Sequence, residues 1–227
     1  MTQHVLFIAT NAAVIGPKNR KTGFFFPEIA HPFEVLDAAG VAVEFASPAG
    51  GWAPYDAYDE KDSAQKAFFE SKAFRRLHRS RKLSEVDAAD YDAILVPGGL
   101  GPMVDIQRNA EVQRAIVRAW TTGKLVTAVC HGPCALLGVD LGDGKPFVQG
   151  KKLTSFSKAE EYDYAREDVP YELEDALRAE GAEYSSAANW QPHVVVDGRL
   201  ITGQNPASAG ELGKKLVAAL REVAASR

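Results

Sequence analysis

The sequence has few of the features that mark secreted or membrane proteins. Among its 227 residues there are only two cysteines, Cys130 and Cys134, and their close spacing disfavours a structural disulfide. The first ten residues have no basic start, and their apolar run is too short for a secretion signal or a membrane span. The sequence therefore predicts a cytoplasmic protein whose two thiols stay reduced.

An excess of positive charge is also missing. The formal net charge is −4, with acidic and basic residues mixed along most of the chain, which argues against a nucleic-acid partner and against an anionic membrane surface. The basic run at 74–82 is the one stretch similar to a nucleic-acid patch. We interpret it as a solvated helix face neutralised by Glu60, Asp62, Glu70 and Glu85.

Short apolar runs alternate with segments of helical pattern along the chain, which predicts an α/β fold with a doubly wound, mostly parallel sheet and helices on both faces. Strands are expected at 4–9, 41–46, 91–96, 125–129 and 152–154, with a hairpin at 194–201 and a loop at 10–26. Helices are expected at 27–40, 109–120, 132–137, 171–180 and 206–224. We expect residues 1–227 to form a single domain, with 52–90 as a helical insertion or cap.

Cys130 is the strongest candidate for a reactive group, because it lies where a predicted strand ends and a helix begins. A sharp turn there would expose its thiol, as the nucleophile elbow exposes a serine in hydrolases. The amides of the turn and the helix N-terminus should lower the thiol pKa. The alternative is a buried structural cysteine, which is our interpretation of Cys134 one turn later. Two cysteines alone cannot complete a zinc site, so no metal is expected.

The sequence also contains candidate acid–base groups that could act with this thiol. His131 follows Cys130 directly, and because adjacent residues project differently, we expect it to act on bound substrate rather than to hydrogen-bond its neighbour. Glu160 or Glu161 could orient its ring, although both could equally be surface charges at a helix start. Glu28 is either a first-turn glutamate favoured by the helix dipole or a protonated donor that faces the thiol.

A glycine-rich segment, Pro-Gly-Gly-Leu-Gly-Pro at 97–102, follows another predicted strand. Its spacing does not match a dinucleotide fingerprint, and no phosphate-binding Lys-Ser/Thr follows it. Glycines allow backbone amides to approach a substrate closely. We therefore expect Gly98 and Gly99, with Gly132 in the turn after the cysteine, to bind substrate and stabilise an oxyanion.

These motifs together resemble a known family. The stretches that carry the resemblance are Ala-Val-Cys-His-Gly-Pro at 128–133, the glycine-rich segment at 97–102, Thr-Gly-Phe-Phe-Phe-Pro-Glu-Ile-Ala-His-Pro at 22–32, and Gly-Arg-Leu-Ile-Thr-Gly-Gln-Asn-Pro-Ala-Ser at 198–208. The sequence resembles the PfpI-type members of the class I glutamine amidotransferase-like superfamily. Within that superfamily it is most similar to heat-shock protein 31-type chaperones and glutathione-independent glyoxalases (glyoxalase III).

The resemblance implies a flavodoxin-like fold and a catalytic group of Cys130, His131, Glu28 and Glu161, the last chosen over Glu160. It also implies a cofactor-independent lyase that converts methylglyoxal to lactate, using neither metal nor glutathione. Leu100 departs from the family pattern, which often has a histidine there. The implied partners are a small 2-oxoaldehyde, unfolded or glycated proteins, and a second copy in a homodimer.

Two other functions are compatible with the same motifs. A cysteine peptidase or glutaminase would use the same elbow, but glutaminases of this superfamily carry a distant His-x-Glu pair, whereas His193 is followed by two valines. A redox-sensing holdase chaperone without enzymatic activity would use Cys130 as an oxidation target, with the aromatic-rich segment 52–82 as an apolar surface.

Overall fold

The computed structural model describes residues 2–225. In this range the strands are β1 (His4–Ile8), β2 (Val14–Ile15), β3 (Arg20–Lys21), β4 (Phe24–Phe25), β5 (Ala42–Ser47), β6 (Tyr55–Asp56), β7 (Arg81–Lys82), β8 (Ala93–Val96), β9 (Leu125–Val129), β10 (Lys152–Leu153), β11 (Glu183–Tyr184), β12 (Val194–Asp197) and β13 (Leu200–Gly203). The helices are α1 (Pro27–Ala38), α2 (Ser63–Glu70), α3 (Lys72–Leu77), α4 (Pro102–Asp105), α5 (Ala110–Thr121), α6 (Lys158–Tyr164), α7 (Leu173–Ala179) and α8 (Ala209–Ala225).

The largest sheet has seven strands in the order β12-β13-β9-β8-β1-β5-β7. Its neighbouring strands are parallel, except that β12 runs antiparallel to β13. Helix α1 connects β1 to β5, and α5 connects β8 to β9, as parallel pairing requires. The predicted doubly wound, mostly parallel α/β sheet is confirmed, and the carboxyl ends of β8 and β9 lie side by side near its centre.

Successive strand residues point to opposite sides of a sheet, and in the central strands residues on both sides are buried. In β1, Leu6 and Ile8 belong to a core that includes Ile116 of α5. Val5 and Phe7 belong to a second core, which contains residues of α1 and α8. Fully burying one such side chain contributes roughly 1.5–3 kcal/mol, so two continuous cores hold the central strands in place.

The predicted loop at 10–26 is only partly a loop. Strands β2 and β3 pair antiparallel within it, and β4 pairs with β6. The aromatic rings explain this difference, because Phe24 and Phe26 are fully buried and the segment that covers them supplies β6. A second difference follows Cys130, where Gly132–Leu136 forms a 3₁₀ helix in place of the predicted helix at 132–137.

The stretch at 52–90 contains α2 and α3, together with short strands and 3₁₀ turns. Helix α2 packs on α1, where the rings of Phe68 and Phe33 lie 4.9 Å apart. The predicted neutralisation of the basic run is wrong: within the described residues its ion pair joins Arg81 to Glu44 at 3.7 Å, while Asp62 caps α2 and binds His31. The organisation of residues 1–227 as one domain stays a prediction.

Candidate active site

Cys130 occupies a sharp elbow directly after β9. Its φ is +59°, a left-handed conformation that costs on the order of 1–3 kcal/mol for a residue with a side chain. Backbone hydrogen bonds on both sides hold the turn, because Cys130 N donates to Gly203 O at 2.9 Å and Phe156 N donates to Cys130 O at 2.7 Å. The nucleophile-elbow geometry predicted from the sequence is therefore present, and the Cys130 side chain is almost fully buried.

His131 contacts the thiol of its own neighbour. Its Nδ1 lies 3.3 Å from Cys130 Sγ, and its Nε2 lies 2.6 Å from Glu161 Oε2. The prediction that adjacent residues could not share a direct hydrogen bond is wrong. In an extended strand consecutive side chains point to opposite faces, but the left-handed backbone at Cys130 interrupts that alternation. The three side chains form one buried chain of polar contacts.

The two neighbouring glutamates of α6 have different partners. Glu161 contacts His131, whereas both oxygens of Glu160 accept other hydrogen bonds. The donors to Glu160 are Ser157 N and Oγ, Trp190 N, Gln204 Nε2 and Asn205 Nδ2. Both carboxylates are buried, so the alternative of surface charges is wrong for both.

Glu28 lies in the first turn of α1 and is fully buried. Its Oε2 accepts a hydrogen bond from Gly98 N at 2.7 Å. Burial raises the pKa of this carboxyl to about 8, although hydrogen bonds from Cys130 and Gly98 oppose the rise. Glu28 is therefore a first-turn glutamate of α1 as well as a buried neighbour of Cys130, and its role as a protonated donor to the thiol stays a prediction.

The prediction of a lowered thiol pKa is wrong for this enclosed site. Burial raises the pKa of Cys130 well above its ordinary value, and the charge of Glu28 acts in the same direction. Hydrogen bonding by the backbone amides of Gly99 and His131 lowers the pKa of the thiol, but it does not outweigh the loss of solvation. The thiol therefore needs a base, and His131 is the base in contact with it.

The three glycines predicted to bind substrate have different positions. The Gly98 amide is engaged by Glu28, so it is not free to bind an oxyanion as predicted. A Cβ on Gly98 would lie 2.7 Å from Cys130 Cβ, and one on Gly132 would lie 2.2 Å from Val96 O, so both positions need glycine for close packing. The backbone amide of Gly99 lowers the pKa of the Cys130 thiol, and the role of Gly99 in oxyanion binding stays a prediction.

Cys134 belongs to the core on the opposite face of the sheet from Cys130, as the interpretation of core packing predicts. Its Sγ donates a 3.4 Å hydrogen bond to Pro102 O, and burial raises its pKa. No group of three or more His, Cys, Asp or Glu within residues 2–225 is arranged to hold a metal ion.

Several aromatic side chains beside the site were not identified from the sequence. Phe156 lies against the His131 ring with centroids 4.6 Å apart, and it also contacts Tyr164 and Trp190. These rings come from separate segments, so no local pattern connects them. The position of Tyr164 beside the site could have been predicted, because Tyr164 lies three residues after Glu161 and therefore on the same side of a helix.

His193 is not part of this site, because its Nε2 contacts Ser185 Oγ at 2.9 Å. The distant histidine expected of a glutaminase is therefore not supplied by His193.

None of the helices within residues 2–225 has both the length and the apolar character needed to cross a membrane.

The fold and the site define a class of protein: an α/β protein with a buried Cys–His–Glu chain at a nucleophile elbow, on the carboxyl edge of a parallel sheet. Comparison with family models makes this assignment specific. The model described as the DJ-1/PfpI family matches residues 23–219, so the chain belongs to the DJ-1/PfpI family. The resemblance identified in the sequence is confirmed.

Curated relatives cover most of the chain. Glyoxalase 3 of Candida albicans is 31% identical over 213 residues, which span 88% of this chain and 90% of the relative. Glutathione-independent glyoxalase HSP31 of Saccharomyces cerevisiae is 30% identical and covers the same shares. Protein/nucleic acid deglycase HchA of Escherichia coli O157:H7 is 29% identical over 92% of this chain and 78% of the relative.

A solved structure supports the same relationship. The crystal structure of glyoxalase III from Candida albicans superimposes with a TM-score of 0.85 at 27% sequence identity. The match covers 96% of this chain and 97% of the other. The similarity therefore extends over the whole fold and is not confined to the sheet.

Proposed function

We propose that the protein is a glutathione-independent glyoxalase that converts methylglyoxal to lactate, with Cys130 as the nucleophile. The observation that carries the proposal is the contact chain from Cys130 Sγ through His131 to Glu161, with distances of 3.3 Å and 2.6 Å. The names of the curated relatives from Candida albicans and Saccharomyces cerevisiae support the same activity.

The first half of the reaction is addition of sulfur to the aldehyde. His131 Nδ1 takes the thiol proton, and Glu161 on Nε2 stabilises the resulting imidazolium. The sulfur bonds to the aldehyde carbon, and the aldehyde oxygen gains a proton to give a hemithioacetal. Glu28 is suited to donate that proton, because its raised pKa keeps it protonated near neutral pH. We assign the binding of this oxygen, while it carries negative charge, to the amides of Gly99 and His131, because both lower the pKa of the thiol.

The second half moves a proton between carbons and then releases the product. Removal of the proton from the sulfur-bearing carbon gives an enediol, and reprotonation at the neighbouring carbon gives a lactoyl thioester. Water then cleaves the carbon–sulfur bond, which releases lactate and restores the thiol. Overall, one methylglyoxal and one water give one lactic acid, so the reaction needs no redox partner.

The test is conversion of methylglyoxal to lactate by the purified protein without glutathione. We expect Cys130→Ala to abolish turnover and Cys134→Ala to keep most of it, because Cys134 lies in the other core. Equal activity of the two variants would refute the site assignment.

The same proteins also test the rival function of a holdase chaperone. That function would be favoured if wild type and both variants suppress aggregation of a client protein while none of them turns over a 2-oxoaldehyde. Glutamine and a peptide serve as control substrates for amidase and peptidase activity.

The proposal extends to partners and location. The deglycase name of the Escherichia coli relative supports glycated molecules as a further substrate class. We also propose that unfolded proteins are clients, that the protein forms a homodimer and that it acts in the cytoplasm. Light scattering of the purified protein across a concentration series tests the dimer, and a mass of one chain throughout would exclude it.

A further inference from the structure

Tyr164 has a hydroxyl with no assigned partner beside the candidate active site. Within the described residues this hydroxyl makes no hydrogen bond, and it is not among the fully buried polar atoms, so it opens toward solvent. Most of the ring is nevertheless covered. A phenol that is held in place and left unpaired can donate a hydrogen bond to a bound molecule.

The position of the ring is set by contacts on several sides. Tyr164 packs against Phe156 at 5.6 Å, and Phe156 in turn lies against His131. The Arg20 guanidinium lies 4.7 Å from the Tyr164 ring centroid, and it also donates to Tyr164 O at 3.0 Å. Trp190 contacts the ring from a third direction, with centroids 6.2 Å apart. The Tyr164 ring is therefore packed on three sides.

Charged groups of the candidate site act electrostatically on the Tyr164 hydroxyl. The pKa of Tyr164 is raised first by burial and next by the charge of Cys130, with smaller contributions from Asp56 and Glu28, while Arg20 opposes them. Tyr164 therefore stays a neutral phenol, which can donate a proton in a hydrogen bond but does not carry charge. It also shares α6 with Glu161, which holds His131.

We propose that the Tyr164 hydroxyl binds the carbonyl oxygen adjacent to the carbon that Cys130 attacks, which makes Tyr164 a specificity residue for 2-oxo compounds. The inference rests on the proposed function and adds to it the group that recognises the second carbonyl. The same hydrogen bond would stabilise the enediol, in which that oxygen gains electron density. An aldehyde without the second oxygen would lack this contact.

The experiment measures alkylation of Cys130, so it does not depend on turnover. Chloroacetone carries a carbonyl next to its reacting carbon, as methylglyoxal does, whereas iodomethane has no oxygen. In each case a carbon–sulfur bond forms and halide leaves. Alkylation rates at Cys130 are read by peptide mass for wild type, Tyr164→Phe and Tyr162→Phe. Tyr162 is a matched control on the same helix, with 66% of its surface exposed.

We expect Tyr164→Phe to slow alkylation by chloroacetone roughly three- to tenfold, the size of one neutral hydrogen bond, with no change for iodomethane. Tyr162→Phe should match wild type with both reagents. The kcat/KM for methylglyoxal should fall by a similar factor in Tyr164→Phe.

An unchanged rate of alkylation by chloroacetone in Tyr164→Phe would overturn the proposed role of Tyr164. Equal slowing with chloroacetone and iodomethane would also overturn it, because it would show a general change around the thiol. A wild type without glyoxalase activity but with the reagent-specific effect would refute the proposed function and leave the role of Tyr164 supported.

Discussion

The two cysteines lie four residues apart and are both buried, yet they occupy different chemical regions. Cys130 lies among ionisable groups, with His131 in contact and Glu28 close by. Cys134 lies in the core on the other face of the sheet, where its hydrogen-bond partner is a backbone carbonyl. Burial raises both pKa values, so burial alone does not separate a candidate nucleophile from a packing residue. Cys130 differs from Cys134 in having the base His131 in contact with its sulfur and the carboxyl of Glu28 close by.

After Cys130 itself, Glu161, the acid that contacts His131, should have the largest effect on activity. We expect Glu161→Gln to lower kcat for methylglyoxal roughly 10²- to 10⁴-fold, because an imidazolium at His131 would lose its partner. Thermal stability should change little by comparison. Asp163→Asn, an exposed position on the same helix, is the matched control. A kcat equal to that of the control would show that Glu161 does not support the thiol chemistry.

The ionisation of Glu28 should make the Cys130 region depend on pH. Its pKa is about 8 in the folded protein against an ordinary 4.5, so between these values the folded state holds a proton that the unfolded state has released. Stability from this group is therefore full below pH 4.5 and falls as pH rises toward 8.

We expect Glu28→Gln to remove this loss, so its melting temperature relative to that of wild type should rise from pH 5 to about pH 8 and level off above that pH. Differential scanning calorimetry at several pH values measures this difference. Glu34→Gln, at an exposed position of α1, should follow wild type. A constant offset between Glu28→Gln and wild type across this range would contradict the raised pKa.

The smallest expected effect concerns Cys134. Cys134→Ala removes one buried sulfur from the core, which should cost about 1 kcal/mol of unfolding free energy by analogy with a methylene group. Chemical denaturation measures the change, with kcat for methylglyoxal as the second readout. A loss of kcat as large as that in Cys130→Ala would remove the distinction between the two regions.

Local patterns predicted most of the fold. The apolar runs located β1, β5, β8 and β9, and the helix expected at 109–120 is α5, with Asn109 as its N-cap. The paired strands inside the predicted loop at 10–26 were missed because each has only two residues and is held by partners elsewhere in the chain. Pairing of that kind leaves no periodic signal in a short segment.

The sequence indicated which residues form the candidate site, but it did not predict how those residues contact one another. The choice of Glu161 over Glu160 came from family resemblance, because spacing alone allows both. The contact of His131 with Cys130 depends on a left-handed backbone conformation that a cysteine rarely adopts. The shift of the thiol pKa was predicted in the wrong direction because the sequence argument considered nearby amides and the helix N-terminus but not the loss of solvation on burial.

The buried carboxylate of Glu160 joins three separate segments: the start of α6, the backbone at Trp190, and the side chains of Gln204 and Asn205. None of them can move away without leaving that charge short of donors. In a deuterium exchange experiment their amides should therefore become labelled together, as one cooperative opening unit. Access for a large client to the rings of Phe156, Tyr164 and Trp190 would then require a concerted opening of this unit.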